Sequence, residues 1–575
     1  MPNIFASAHT SHFFNLSFCC VHAHSFFSSQ NVPTAPQPAV IHPLPKNIFC
    51  FIVAFSVLLR YNDRSNISYR YLFCERRNFV NCTKNFGFRH KAGVIMPISS
   101  LPGKYGIGSF GAAAHQFIDF LDATGQSCWQ VLPLNPTSYG DSPYQSPSSV
   151  AGNPYFIDLE ILAQKGLLTK QELSAQRHSG KRVDYGWLFH TRYPILRLAY
   201  SRFVPDRAYK AFLRKQASWL ENYALFMALK VHYNFSPWTN WAPEHRNYSE
   251  ALAHKAEFDA EMGFWRWTQY EFTMQWQAIR AHAKEKGIRI IGDMPIYVAH
   301  DSMDVWAAPE QFLLDAQHNP TVVAGCPPDG FTPDGQLWGN PIYNWSLMQA
   351  QGFAWWIHRV GAAFQLYDIL RIDHFRGFAG YYNVPFGEST ARNGVWDAAP
   401  GIQLFRTLAQ AFPKAKIIAE DLGYITEDVR QLLQDTGFPG MKMLHFAFYD
   451  EDSENLPRMY ETKNCVVYSA SHDSDCTYTW QKNLTGQARR RFNRECPRNP
   501  AQSRTYDLIE YAFRSIANLA MVPMQDYLEL SNEEGRMNIP ATAEGNWGWR
   551  VSARYDTPKL RARILALTTA TKRNK

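Results

Sequence analysis

Cysteine is scarce in this 575-residue chain: there are ten, and half of them (Cys19, Cys20, Cys50, Cys74 and Cys82) crowd before residue 91. The others, Cys128, Cys326, Cys465, Cys476 and Cys496, are scattered and form no CxxC pair. That excludes a disulfide-stapled scaffold, argues against a zinc site and suits a reducing cytoplasm. Long apolar runs are missing as well. The one candidate before residue 91, Ile48 to Leu59, is about half the ~20 residues that cross a bilayer. No Lys or Arg precedes Lys46, so the charged start of a secretory signal is also absent.

An excess of one charge is lacking too, once the chain is divided. Lys and Arg number 58 against 50 Asp and Glu. Residues 1–90 hold eight of the basic residues and only Asp63 and Glu75, which leaves 50 against 48 for the rest. A near-neutral body gives no basic stripe for nucleic acid or an acidic membrane, and neither partner is expected. Residues 1–90 also contain no tryptophan, and no methionine lies between Met1 and Met96, yet 13 of the 39 phenylalanines fall there. This extension is read as disordered or upstream-translated sequence ahead of a start between Leu72 and Arg89, with an organelle or membrane extension as the alternative.

What is present is a large apolar content, 46% of residues, enough for a big core. From residue 91 on, eight short apolar or β-branched runs recur: Ala92–Ile98, Cys128–Pro133, Ile288–Met294, Ile369–Asp373, Lys416–Glu420, Met441–Phe446, Cys465–Ser471 and Leu519–Pro523. Helical patterns separate them, among them Ala113–Ala123, Phe272–Lys286, Trp355–Phe364, Ile402–Phe412 and Thr426–Asp435. Eight strands alternating with helices predict an α/β chain folded as a (β/α)8 TIM barrel over residues 91–575. The gap between the second and third runs predicts a helical insertion at about 151–271. A stretch at about 299–345, rich in Pro, Gly and Trp and poor in periodicity, is expected to be an active-site loop.

Several runs end in ionisable residues: Asp293 closes the third, Asp373 and His374 the fourth, Glu420 and Asp421 the fifth, His472 and Asp473 the seventh. Barrel enzymes take their reacting groups from the C-terminal ends of different strands, so one rim should gather these acids. Asp421 is the one best explained as a helix cap. Two carboxyls flanking a bond can carry out glycosidic chemistry, one as nucleophile and the other as acid and then base. Arg371, two residues before Asp373, points to the same side of its strand and would keep that carboxyl ionised. Glu420 follows an apolar Ile417-Ile418-Ala419 and is the better acid. His374 and His472 read as donors to sugar hydroxyls. A metal site built from His374, His472, Asp373 and Asp473 is the rival reading, weakened by the lack of HxH or HExxH spacing.

These residues carry a resemblance. Arg371-Ile-Asp-His-Phe-Arg-Gly377, Ile418-Ala-Glu-Asp-Leu-Gly423 and Ser471-His-Asp473 resemble the fourth-, fifth- and seventh-strand motifs of the α-amylase clan. More narrowly, Ser99–Gly108, Asp141–Ser146, Ala151–Tyr155, Gly292–Ile296, Gly335–Pro341 and Asn538–Trp547 resemble the 4-α-glucanotransferases (amylomaltase or disproportionating enzyme, glycoside hydrolase family 77). The resemblance covers about residues 91–560. It implies Asp373 as nucleophile, Glu420 as general acid and base, and Asp473 as transition-state stabiliser. It further implies Ser142, Tyr144, Asp293, Asn340, Arg371, His374 and His472 as sugar contacts and Trp338 as a platform for a glucose ring.

Three departures stand out. Gly330 follows Pro327-Pro328-Asp329 where the family often has an aromatic, and Ser474 and Cys476 replace Asn and Thr in the seventh-strand motif. The third is the extension itself. The activity implied is a retaining transfer of an α-1,4-glucan segment to the 4-hydroxyl of glucose or a maltooligosaccharide, in maltodextrin, glycogen or starch metabolism, with no cofactor and no metal. The alternatives are a plain α-glucan hydrolase on the same acids and a glycan-binding barrel without turnover.

Overall fold

The computed structural model describes residues 87–328, 332–542 and 544–575, so residues 1–86 of the extension and the Gly330 position lie outside the described residues. Eight parallel strands close into a barrel: β1 (Lys91–Ile95), β2 (Cys128–Gln130), β3 (Arg289–Met294), β4 (Ile369–Ile372), β5 (Ile417–Ala419), β6 (Gly440–Met443), β7 (Cys465–Tyr468) and β8 (Leu519–Pro523). Neighbours follow chain order, and β1 pairs with β8 to complete the ring, Lys91 opposite Leu519 and Ile95 opposite Pro523. Each apolar run of the sequence supplies one strand, and the fold is the (β/α)8 barrel.

Strand alternation explains both the barrel's filling and its rim. Cys128, Ile291, Ile369, Ile418, Val466 and Leu519, one from each of six strands, meet in a buried cluster inside the barrel. Two residues further along those strands the same face carries Gln130, Asp293, Arg371, Glu420 and Tyr468. A hydrocarbon floor therefore underlies a polar layer at the C-terminal end. The opposite faces, with Trp129, Ile290, Leu370 and Val467, join the larger core beneath the helices. Gly292 is on that face because a Cβ there would lie 2.1 Å from the ring of Tyr367.

Between β2 and β3 the chain builds helices Tyr185–Ser201, Arg207–His232 and Asp259–Glu285, the first two capped by Asp184 and Asp206. The third runs unbroken through residue 271. Its first half packs inside the helical layer, Trp265 against Tyr223 at 6.2 Å, while Phe272 and Trp276 in its second half press on Phe110 at 5.1 and 5.0 Å. The same aromatic face thus serves both layers, and the helix has no reason to break. Gln269 grips both backbone groups of Gly152, and the Gln275 side chain accepts from the Asp158 amide, which ties this helix to the rim segment after β2.

The 299–345 segment holds more regular structure than its pattern suggested. Strands Val322–Cys326 and Gln336–Pro341 join Gly380–Pro385 and Val395–Ala398 in a four-stranded antiparallel sheet above β3 and β4. The register shifts between Val323 and Gly325, and such a bulge in so short a strand obscures the period-two signal.

At the seam of β1 and β8 the buried Arg573 donates to the carbonyls of Phe513 (2.6 Å), Lys91 (2.9 Å) and Ser515 (2.8 Å). Arg573→Met leaves these acceptors unpaired and should lower stability by about 2–4 kcal/mol. The check is a lower urea midpoint with unchanged slope.

Candidate active site

Arg371 and Asp293 are cross-strand partners on β4 and β3, and Arg371 Nη1 lies 2.6 Å from both Asp293 oxygens. The same nitrogen is 3.0 Å from Asp373 Oδ1, so one guanidinium nitrogen serves two carboxylates. Arg371 and Asp293 are buried, whereas the Asp373 side chain is 29% exposed. Glu420, at the end of β5, accepts at Oε2 from the His374 amide (2.7 Å) and at Oε1 from the Leu422 amide (3.2 Å). Asp373 and Glu420 are thereby coupled through one backbone step. His374 sits in the left-handed region, φ 51° and ψ 50°, a strained conformation that turns its amide toward Glu420.

From the other side of the rim, Tyr144 donates through its hydroxyl to Asp293 Oδ2 (2.9 Å) and lies 3.0 Å from His472 Nε2. Its ring stacks on His472 at 5.4 Å, and Trp547 tilts against both rings. His472 Nε2 is also 3.2 Å from Asp473 Oδ2, while Asn538 donates to Asp473 Oδ1 at 2.6 Å. The Asp473 carboxyl remains 43% exposed to the cleft. The extra sheet brings in Trp338, whose ring meets His374 edge-on at 4.7 Å, and Asn340, which donates to the Val298 carbonyl (2.8 Å) and accepts from Gln145 (3.1 Å). The Ser142 hydroxyl accepts from the Tyr144 amide at 3.2 Å and shapes the turn before it.

Burial and charge set the acids apart. Burial, reinforced by the Asp373 charge, holds Glu420 well above the ordinary carboxyl range. Burial also lifts Asp373, and the Arg371 charge offsets only part of that rise, leaving it at about 6. The guanidinium beside Asp373 does not lower it below its ordinary value, because Arg371 is shared with Asp293 and desolvation is the larger effect. Asp473 goes the other way. Burial would raise it, but His472 with its charge and hydrogen bond, and Asn538, bring it to about 2. Burial opposes a charge on His472, yet Asp473 lifts it above the usual histidine value. His374, buried without such a partner, falls to about 3 and stays neutral.

Asp373, Glu420, Asp473, Tyr144, His374, His472 and Trp338 thus gather in one cluster at the C-terminal rim, from which the Asp373 and Asp473 side chains reach the surface. Asp293 and Asn340 stand behind it: the Asp293 side chain has no exposed surface, and Asn340 is buried in protein hydrogen bonds. Asp421 is no helix cap. It accepts from the Met441 amide (2.6 Å), joining β5 to β6, and burial raises it to about 6. Ser474, one of the departures, has its hydroxyl within 3.1 Å of the Ser471 amide and so folds the seventh-strand turn. Among the described residues, no three His, Cys, Asp or Glu side chains converge where a metal ion could bind. Sequence reasoning gave no role to Gln145, Asn538 or Trp547. Asn538 and Trp547 bound the stretch Asn538–Trp547, which was recognised as a motif but offered no chemical clue to what its side chains hold.

A closed parallel barrel that presents ionisable groups from β3, β4, β5 and β7 on one rim defines a (β/α)8-barrel enzyme. The chain belongs to the 4-α-glucanotransferase family, glycoside hydrolase family 77, whose sequence profile matches residues 96–556. The 4-α-glucanotransferase of Clostridium butyricum is 44% identical over 483 residues, 82% of this chain and 99% of that protein. That of Thermus thermophilus is 43% identical over 497 residues, 84% of this chain and 98% of the other. Among solved structures, the amylomaltase from Streptococcus agalactiae in complex with acarbose matches with a TM-score of 0.82 at 40% identity, covering 84% of this chain and 100% of that one. No described helix is long and apolar enough to cross a membrane.

Proposed function

We propose that this 4-α-glucanotransferase works by double displacement with Asp373 as nucleophile and Glu420 as acid and base. The Asp373 carboxylate attacks the anomeric carbon of a donor α-1,4-glucan while Glu420 gives its proton to the departing 4-oxygen. The leaving segment diffuses away, and the retained segment stays as a glycosyl ester. Glu420, now ionised, takes the proton of an acceptor's 4-hydroxyl. That oxygen attacks the same carbon, and Asp373 is released with net retention. The donor is a maltooligosaccharide or longer glucan, the acceptor glucose or another maltooligosaccharide, and the setting a reducing cytoplasm, in keeping with the five free cysteines among the described residues.

The observation that carries this reading is the contrast in surroundings: Asp373 is partly exposed with its carboxyl 3.0 Å from the Arg371 guanidinium, whereas Glu420 is buried at the end of β5 with the His374 and Leu422 amides on its oxygens. Glu420 is held well above the carboxyl range, whereas Asp373 at about 6 is mostly ionised at neutral pH. One environment supplies an acid, the other a nucleophile. In the same reading Asp473, kept ionised by His472 and Asn538, faces the ring on which positive charge develops. His374 Nε2 has no hydrogen-bond partner in the protein and is free for a sugar hydroxyl, and the Trp338 ring beside it offers an apolar face. Asp293 and Arg371 act through Tyr144 and Asp373.

Incubation with maltotriose tests the activity. A ladder of longer maltooligosaccharides with released glucose is expected. Shortening alone would mean hydrolysis, and an unchanged substrate would mean binding without turnover.

A further inference from the structure

The loop that carries His472 and Asp473 runs from Ser469, just after β7, to Thr477, the first residue of helix Thr477–Asn483. Both of its ends are held by one side chain that is not at the cleft. Asp526, in the short helix Met524–Tyr527 directly after β8, accepts at Oδ2 from the hydroxyls of Ser469 (2.8 Å) and Thr477 (2.7 Å) and at Oδ1 from the Thr477 amide (2.9 Å). The hydroxyl of Thr477 lies 3.0 Å from His445 Nε2, at the end of β6, and His445 stacks flat on Trp480 at 4.2 Å. Since Thr477 donates to Asp526, His445 must donate to Thr477. The ends of β6, β7 and β8 are thus joined by one hydrogen-bond chain that terminates on Asp526. Ser469 and Thr477 have no exposed surface, Asp526 only 1% and His445 3%.

The rest of the post-β8 segment grips the middle of the same loop. Asn532 accepts from the Cys476 amide and donates to Asp475, each at 2.8 Å. Arg536 pairs with Asp475 and donates to the Asp473 carbonyl at 2.9 Å. Asn538 accordingly meets Asp473 on a scaffold whose base is Asp526.

We propose that Asp526 is a positioning residue for the transfer reaction: by holding Ser469 and Thr477 together it fixes where His472 and Asp473 stand over the cleft, without touching the sugar. This rests on the reading of Asp473 as part of the chemistry. The need for a carboxylate follows from the donors. Two hydroxyls and one amide all point at Asp526, and an acceptor-only group satisfies all three. An amide in its place would put its NH2 either at the Oδ2 position, where both hydroxyls lose their acceptor, or at the Oδ1 position, where it faces the Thr477 N–H donor to donor. The loop would then shift by a fraction of an ångström, enough to cost catalysis but too little to unfold a barrel.

The test uses the full chain, an α-maltosyl fluoride donor and a maltose acceptor, with fluoride release giving the sensitivity that slow variants need. Asp526→Asn is expected to lower kcat by about 10–100-fold while KM stays within about threefold. Thr477→Ser, which keeps the hydroxyl, should stay within about threefold of the parent enzyme. The deciding measurement is a double-mutant cycle. If Asp526 acts through Asp473, then adding Asp526→Asn to Asp473→Asn should cost less than about threefold more. A full multiplicative loss in the double variant, or Asp526→Asn at parental rate, overturns the proposal. Should Asp526→Asn fail to fold, as judged by far-ultraviolet circular dichroism, Thr477→Val carries the same cycle with Asp526 intact. Near-parental activity of Asp473→Asn alone would instead remove the reading of the site on which the proposal rests.

Discussion

Asp373→Asn should abolish transfer, with kcat lower by on the order of 10⁴-fold or more. The substitution is isosteric, and its amide oxygen can still face Arg371 Nη1, now 3.0 Å from Asp373 Oδ1. What disappears is the charge, and a neutral amide cannot form the glycosyl ester. Intact-protein mass spectrometry after mixing with α-maltosyl fluoride should therefore show no adduct, whereas the parent enzyme shows a transient one. Stability separates this outcome from damage to the fold. Burial raises Asp373 to about 6, so its ionised form costs the native state free energy at neutral pH. The sign follows directly: the folded protein binds this proton more tightly than the unfolded chain, so stability falls as pH rises from the unfolded carboxyl range through about 6. Removing the charge should leave the protein at pH 7 as stable as the parent or slightly more so, with the urea midpoint as the measure. Near-normal transfer by Asp373→Asn would end the assignment of Asp373 as nucleophile.

The sequence discloses the barrel because alternation and strand-end chemistry are local. Ile369, Arg371 and Asp373 lie two apart, so one inward face predicts a greasy floor, a cation and an acid in that order. The same holds for Ile291 and Asp293, and for Ile418 and Glu420. What the sequence could not disclose depends on distance along the chain. Arg371 and Asp293 are 78 residues apart, and only the barrel register makes them partners. The sharing of Arg371 therefore stayed hidden, and so did the upward shift of Asp373. Asn538 meets Asp473 across 65 residues, and Asp526 meets Ser469 across 57. No periodicity links such pairs. The four-stranded sheet was missed for a different reason: its strands come from two separate loops, are short and include a bulge, so neither length nor alternation marks them.

Glu420→Gln should separate the two halves of the reaction. In the free enzyme Asp373 takes up a proton as pH falls through about 6, which removes the nucleophile. Glu420 loses its proton only well above the carboxyl range, which removes the acid. The dependence of kcat/KM on pH should therefore be bell-shaped, and its two limbs belong to the coupled pair rather than to either residue alone. Glutamine has no proton to lose, so the alkaline limb should vanish in the variant while the acid limb persists. Transfer from maltotriose should fall by about 10²–10⁴-fold because the departing 4-oxygen gets no proton. Fluoride needs none. With α-maltosyl fluoride the first half-reaction should run at a rate near that of the parent, and the second, which still needs a base for the acceptor's hydroxyl, should remain slow. The glycosyl ester on Asp373 should then accumulate, visible as a burst of one fluoride per active site and a lasting mass increase. A variant that retains both limbs and a normal maltotriose rate, or one that shows no burst with the fluoride, would mean that another group supplies the proton.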